Sequence, residues 1–267
     1  MPVLNEIGPI EATRDGGSVV RVAFDPRWCV RSVFGGAVAA MAVRAGRAAL
    51  DVDLSLSEGM FSFVAPLPAG PAAIEVRPTR AGRRFAGAEV NVVADGVITM
   101  RGTLAFAAGV MPTTRADAAP APTSGAPTFD GEIEWCPAES RSGEFTSWVR
   151  ATGAAADLPP DEWACIAVDL LGPAVVPEIE GRFAVATAFL SVTPFAAAPP
   201  GSWARQSVTG RHVDGVVAGT LDLRDAAGGL LARATQRSVV TPTASDDPRL
   251  VTAFANSSIH SQLFGMN

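Results

Sequence analysis

The sequence predicts an α+β fold in which a long apolar helix is wrapped by an antiparallel sheet, and it predicts that arrangement twice. Three observations carry this. Residues 32–50, SVFGGAVAAMAVRAGRAAL, contain no Pro and no charge except Arg, with Phe34, Val38, Met41, Ala42 and Ala45 recurring at helical steps. Strand-like segments rich in Val, Phe and Ala lie on either side of that run. The order strand, helix, four strands then recurs in the second half of the chain.

Taken in order, residues 17–30 (GSVVRVAFDPRWCV) alternate as a first strand. The helix follows, and its small residues leave a smooth surface that a sheet can approach closely. Strands are predicted at 61–66, 73–80, 85–96 and 97–108. Within 85–96, Ala86, Ala88, Val90 and Val92 face one way, Glu89 and Asn91 the other, and Asp95-Gly96 marks a hairpin. Residues 109–130 carry Pro, Ala, Thr and Gly without periodicity and read as a linker. Beyond it, a strand at 145–153 precedes a helix from Pro160 to Val175, opened by Asp161 or Glu162. Strands at 182–194, 203–210, 215–225 and 230–240 complete the second repeat.

The strings ADGVITMRGTLAF and AGGLLARATQRSV share a turn, a strand and their spacing, which aligns Thr103 with Gln236. The domains are therefore read as a first repeat over 1–108, a linker over 109–130, a second repeat over 131–241 and a tail over 242–267. The tail carries an apolar run from Leu250 to Phe254 and is expected to dock on the body or on a neighbouring subunit.

Hydrophobic residues make up 48% of the 267 and charged residues 18%, enough apolar material for a sizeable core. The net charge is -6, with every positive side chain an Arg, which argues against a nucleic-acid partner. Neither a signal peptide nor an apolar run of membrane-spanning length is read. Cys29, Cys136 and Cys165 are odd in number and far apart, which fits neither a disulfide framework nor a zinc site. A cytoplasmic protein without metal or cofactor is expected, and open sheet edges point to a homo-oligomer.

Polar residues stranded on apolar faces are the candidate chemistry, because burying them costs free energy. Asp169 is the one charge within WACIAVDLLGPAVV, and its helical neighbours Cys165, Ile166, Gly172 and Pro173 offer no ion pair. The plainer reading is an Asp near a helix end, reached by solvent. In 230–240, Arg233, Thr235 and Arg237 share one face, while Gln236 falls on the small inward face with Ala232, Ala234 and Ser238. Thr187 alternates with Phe183, Val185 and Phe189. None of the three has a counterpart in the first repeat. No nucleophile elbow, P-loop or dinucleotide fingerprint occurs.

These residues bring a family into view. Val33-Phe34-Gly35-Gly36, the segment FSFVAPLPAGPAAIEV and the closing GGLLARATQRSVV resemble motifs of the double hotdog acyl-CoA thioesterases, the TesB-like or thioesterase II group, up to about residue 241. The chain departs from that pattern at Ser57-Glu58-Gly59-Met60, where the family often has a His, and at Val64-Ala65. The resemblance implies a double hotdog fold and hydrolysis of an acyl-CoA by a water held among Asp169, Thr187 and Gln236. Coenzyme A would then be part of the substrate. Phe34, Gly35 and Gly36 would bind substrate, the N–H groups of the Gly pair meeting the thioester oxygen. Two alternatives stay open: a non-catalytic acyl- or hydrophobic-ligand-binding hotdog protein, and a hotdog hydratase or dehydratase.

Overall fold

Residues 7–29, 32–109, 116–141, 143–169 and 183–242 are described in the computed structural model of the protein. The first half runs β1 (Ile10–Ala12), β2 (Ser18–Phe24), α1 (Gly35–Leu50), β3 (Ser55–Phe63), β4 (Gly70–Arg80), β5 (Phe85–Ala94) and β6 (Val97–Ala107). The second runs β7 (Ala126–Thr128), β8 (Ile133–Arg141), β9 (Glu144–Ala151), α2 (Pro160–Ala167), β10 (Phe183–Pro194), β11 (Ala204–Val213), β12 (Val216–Asp225) and β13 (Leu230–Pro242).

All the strands join one antiparallel sheet in the order β1-β2-β4-β5-β6-β3-β10-β13-β12-β11-β9-β8-β7. Each half is laid out alike. In each, five strands run from the strand before the helix to the first strand after it, which lies at the seam; β1 adds to the outside of β2, and β8 and β7 to the outside of β9. There β3 pairs with β10, Phe61 opposite Leu190 and Met60 opposite Ser191. Helix α1 is buried nearly all round, from Gly36 to Val43 and again at Ala45 and Gly46. A helix apolar on every side needs cover on every side, and here the sheet supplies part of it and α2 the rest. Gly36 sets that approach: a Cβ there would lie 2.7 Å from the Cys165 carbonyl oxygen and 2.8 Å from the Ile166 Cα.

Several sequence expectations hold and several shift. In β5 the alternation stands, with Ala86, Ala88, Val90 and Val92 buried and Glu89 exposed. Asp95 and Gly96 both take positive φ, 50° and 76°, as a tight hairpin requires. The predicted strand at 61–66 instead spans Ser55–Phe63, and beyond it the Val64 and Ala65 N–H groups turn onto the Thr99 carbonyl. Strand β8 was not expected, because Pro137 interrupts it. The ladder steps by one residue between Pro137 and Glu139, and a bulge is where a strand tolerates a residue with no N–H. Residues 126–130, read as linker, form β7 and, with Gly131, a short 3-10 turn.

Two corrections bear on the site. The second helix was expected to reach Val175, but α2 ends at Ala167, so Asp169 stands just beyond it; residues 170–182 lie outside the described residues. The tail from 243 onward, with its expected docking, also lies outside them. The alternation assigned to β10 breaks at a bulge between Thr187 and Phe189. Thr187 faces Ser238 on the inner side, whereas Phe189 pairs with outward Arg237 and joins the outer face.

Candidate active site

Asp169, Thr187 and Gln236 come from three separate elements and meet in one hydrogen-bonded cluster. The Asp169 residue is only 3% exposed. Its Oδ1 accepts the Thr187 hydroxyl at 2.8 Å and the Gln236 amide N–H at 2.6 Å; its Oδ2 accepts the Gly36 backbone N–H at 2.7 Å. Gln236 Nε2 also donates to Thr187 Oγ1 at 2.9 Å and to Ser238 Oγ at 3.3 Å.

Local structure explains each placement. A carboxylate at the C-terminal end of its own helix would face that helix's partial negative charge. Ending α2 early instead lets Asp169 reach the N-terminal end of α1, where a peptide N–H is free of intrahelical partners. Gly35 makes room for it, since a Cβ at Gly35 would stand 2.7 Å from Asp169 Oδ2. The bulge at Ala188 turns Thr187 inward beside β13, whose alternation aims Gln236 and Ser238 the same way.

Burial pushes the Asp169 carboxyl up from 3.8 to about 7, against the hydrogen bonds from Thr187, Gly36 and Gln236, which favour its ionised form. No charged side chain is among the causes of that shift. An ionised carboxylate offers about four acceptor sites, and the described donors use three. Among the described residues, one site on Oδ2 is left for a water.

The Gly pair therefore does something other than expected. The Gly36 N–H is committed to Asp169, so in this structure it is not open to a thioester oxygen. Phe34 caps α1 from outside and packs its ring on Phe129 at 5.0 Å. Sequence reasoning did not single out Ser238 for the site, and it missed a buried relay beneath it. In that relay Trp135 Nε1 donates to Ser147 at 3.1 Å, Ser147 donates to Gln206, and Gln206 Nε2 donates to the Ala167 carbonyl that ends α2. Ser147 and Gln206 are polar residues among apolar strand neighbours, the same signal that exposed Gln236.

The equivalent position in the first half holds a different arrangement. Matching the bulge of β3, between Leu56 and Glu58, to that of β10 makes Leu56 the counterpart of Thr187 and Leu104 that of Gln236. The Thr103 alignment is thus off by one, and Thr103 faces outward. Beside Leu56 the carboxylates are paired. Arg44 Nη2 lies 2.6 Å from Glu162 Oε2, Arg47 Nη1 lies 3.0 Å from Glu162 Oε1, and Arg47 also pairs with Asp161. The Leu56 N–H donates to Asp161 Oδ2 at 2.8 Å.

Residues 24–107 match the family model of the acyl-CoA thioesterase N-terminal domain. No curated protein matches the chain. Among solved structures, a thioesterase II candidate from Thermobifida fusca YX is 22% identical with a TM-score of 0.73, covering 90% of this chain and 99% of its own. The acyl-CoA thioesterase II TesB2 from Mycobacterium marinum is 20% identical with a TM-score of 0.69, covering 90% and 97%. The tesB protein of Mycobacterium avium subs paratuberculosis is 18% identical with a TM-score of 0.70, covering 87% and 96%. Residues 24–107 are thus similar to an acyl-CoA thioesterase N-terminal domain, and the chain as a whole shares the hotdog fold of these thioesterase II structures.

Proposed function

We propose that the protein hydrolyses the thioester of an acyl-CoA, or a related acyl-pantetheine, by direct attack of water at Asp169, and that the chain is a tandem pair of hotdog repeats with one such site. The observation that carries this is the buried Asp169 carboxyl, set by hydrogen bonds from Gly36, Thr187 and Gln236 and titrating near 7. A base of that pKa is half ionised at neutral pH and can take a proton from water during attack. The water oxygen bonds to the thioester carbon as its proton passes to Asp169. When the tetrahedral species collapses, the C–S bond breaks, the proton leaves Asp169 for the thiolate, and free acid and thiol result. Thr187 and Gln236 orient the carboxylate and the water. The thioester oxygen would be met by the Gly35 N–H at the start of α1, with Phe34 beside it. Coenzyme A enters as substrate, and no further cofactor is needed.

A panel of acyl-CoAs, with free thiol followed by a chromogenic disulfide, tests the activity. Single-turnover hydrolysis in 18O-water separates direct attack, which puts the label in the acid, from a mixed anhydride on Asp169, which puts it in the Asp169 carboxylate. Saturable binding of acyl-CoA without thiol release would make this an acyl-binding protein instead.

We also propose a cytoplasmic homo-oligomer. Three free cysteines suit a reducing compartment, and no described helix is long and apolar enough to cross a membrane. On the outer sheet face, Met60 (42% exposed) and Phe189 line a hollow of about 730 Å³ flanked by Glu75, Glu89, Arg77 and Arg101, apolar at its centre and of both charges at its rim. Such a face suits a second copy. Light scattering that finds only monomer at high concentration would refute association.

A further inference from the structure

We infer that Ser238 is a positioning residue: its hydroxyl competes with Asp169 for the N–H groups of Gln236 and so holds part of that amide off the carboxylate. Its effect on rate rests on the hydrolytic reading above; its effect on Asp169 does not. Ser238 is fully buried on β13, directly opposite Thr187 in the ladder and on the same inward face as Gln236.

Gln236 Nε2 stands 2.6 Å from Asp169 Oδ1, 2.9 Å from Thr187 Oγ1 and 3.3 Å from Ser238 Oγ. An amide nitrogen carries two hydrogens, so among the described residues three acceptors share two donors. That the nitrogen of the amide faces them follows from Asp169, since an ionised carboxylate can only accept. The Thr187 hydroxyl donates its own hydrogen to Asp169 Oδ1, so toward Gln236 it is an acceptor as well. Taking Ser238 away frees the hydrogen it engaged, and the amide can then turn to share both hydrogens between Asp169 and Thr187. A stronger bond to the carboxylate stabilises its ionised form and ties Gln236 to Asp169 when it should turn toward the water.

The surroundings leave this effect readable. Asp169 is faced by Gly35 and Gly36 from α1, Cys165 from α2, Thr187 from β10 and Gln236 from β13, with the Phe63 ring of β3 against Gly35. Of these, Cys165 is the one other titratable group. Burial holds its thiol well above the ordinary range, so it stays neutral while Asp169 titrates.

Full-length Ser238→Ala and Ser238→Thr proteins, shown to be folded by thermal unfolding, are compared with the native chain in two measurements. The first is the Asp169 carboxyl titration by 13C NMR, assigned with Asp169→Asn; the second is the pH dependence of kcat and KM on the best acyl-CoA. In Ser238→Ala the Asp169 midpoint should fall by about half a pH unit. In the same variant kcat above the midpoint should drop about three- to tenfold while KM holds within about twofold. Ser238→Thr keeps the hydroxyl and should restore both. A midpoint unmoved in folded Ser238→Ala overturns the inference, and so does a slower enzyme with an unmoved midpoint, which would mark lost packing alone. A moved midpoint with unchanged turnover upholds the divided amide and counts instead against Asp169 as the base that activates the water.

Discussion

A carboxyl that titrates near 7 inside a protein ties activity and stability together in opposite directions. Asp169 releases its proton near 3.8 when unfolded and near 7 when folded, so between those values the native state binds the extra proton. Stability therefore falls as pH rises through that window and levels off above about 7. A shift of that size corresponds to roughly 4 kcal/mol. Asp169→Asn should accordingly be more stable than the native protein at pH 8 by about 1–3 kcal/mol, some of the gain being lost because an Asn N–H faces existing donors. At pH 4 the two should unfold alike in denaturant titrations. Turnover moves the other way: it should rise with pH through about 7 in the native enzyme. In Asp169→Asn it should fall by about two to four orders of magnitude, with the acid limb gone. Gly35→Ala separates position from charge. Its Cβ would crowd Asp169 Oδ2, and a carboxylate displaced by about 1 Å should cost about a hundredfold in kcat with the acid limb kept. At this scale the legible signal was a polar side chain breaking an apolar face, as at Gln236, and Ser147 and Gln206 carried it too. Ser238 escaped notice because a serine among alanines breaks little.

Elements are readable where alternation runs uninterrupted and obscure where the ladder slips. The partner strand produces a bulge, so the turn that brings Thr187 inward is not visible in β10 alone. The end of α2 is likewise set from outside: Gln206 takes up the Ala167 carbonyl, and the α1 N-terminus draws Asp169 away from a helical path. The other end of the α1–α2 pair shows what an opposite choice produces. There Glu162 is 1% exposed, and burial raises its carboxyl despite the Arg44 and Arg47 guanidiniums that favour its charge. Removing one guanidinium leaves that buried carboxylate underpaired. Arg44→Leu should therefore cost about 3–5 kcal/mol, read as a drop in the urea midpoint. Restoring neutrality with Arg44→Leu plus Glu162→Leu should recover much of it. If the single variant costs under about 1 kcal/mol, the cluster is a solvated surface pair and not an internal tie.

The two halves are joined by more than a linker. The β3–β10 ladder makes one sheet of two, α1 and α2 bury each other, and the acid of the second half is held by the helix N-terminus of the first. A polypeptide ending at Ala108 would leave the α1 face that packs on Cys165 and Ile166 open to water and β3 as an unpaired edge, two exposures that favour aggregation. It would also leave Arg44 and Arg47 without Asp161 and Glu162. The complementary polypeptide, from residue 116 onward, keeps Asp169, Thr187 and Gln236 but loses the Gly36 N–H. Neither half alone should hydrolyse acyl-CoA, although the second carries every side chain proposed for the chemistry. Produced together, the halves should associate through the seam and recover activity, with one acyl-CoA bound per pair in equilibrium dialysis. The count is one because the first half has Leu56 and Leu104 where the second has Thr187 and Gln236, and the Asp161 and Glu162 carboxylates beside Leu56 are closed by Arg44 and Arg47. Full turnover by the second half alone would show that Gly36 adds nothing to Asp169. Two acyl-CoA molecules per chain would place a second site where the ion pairs are.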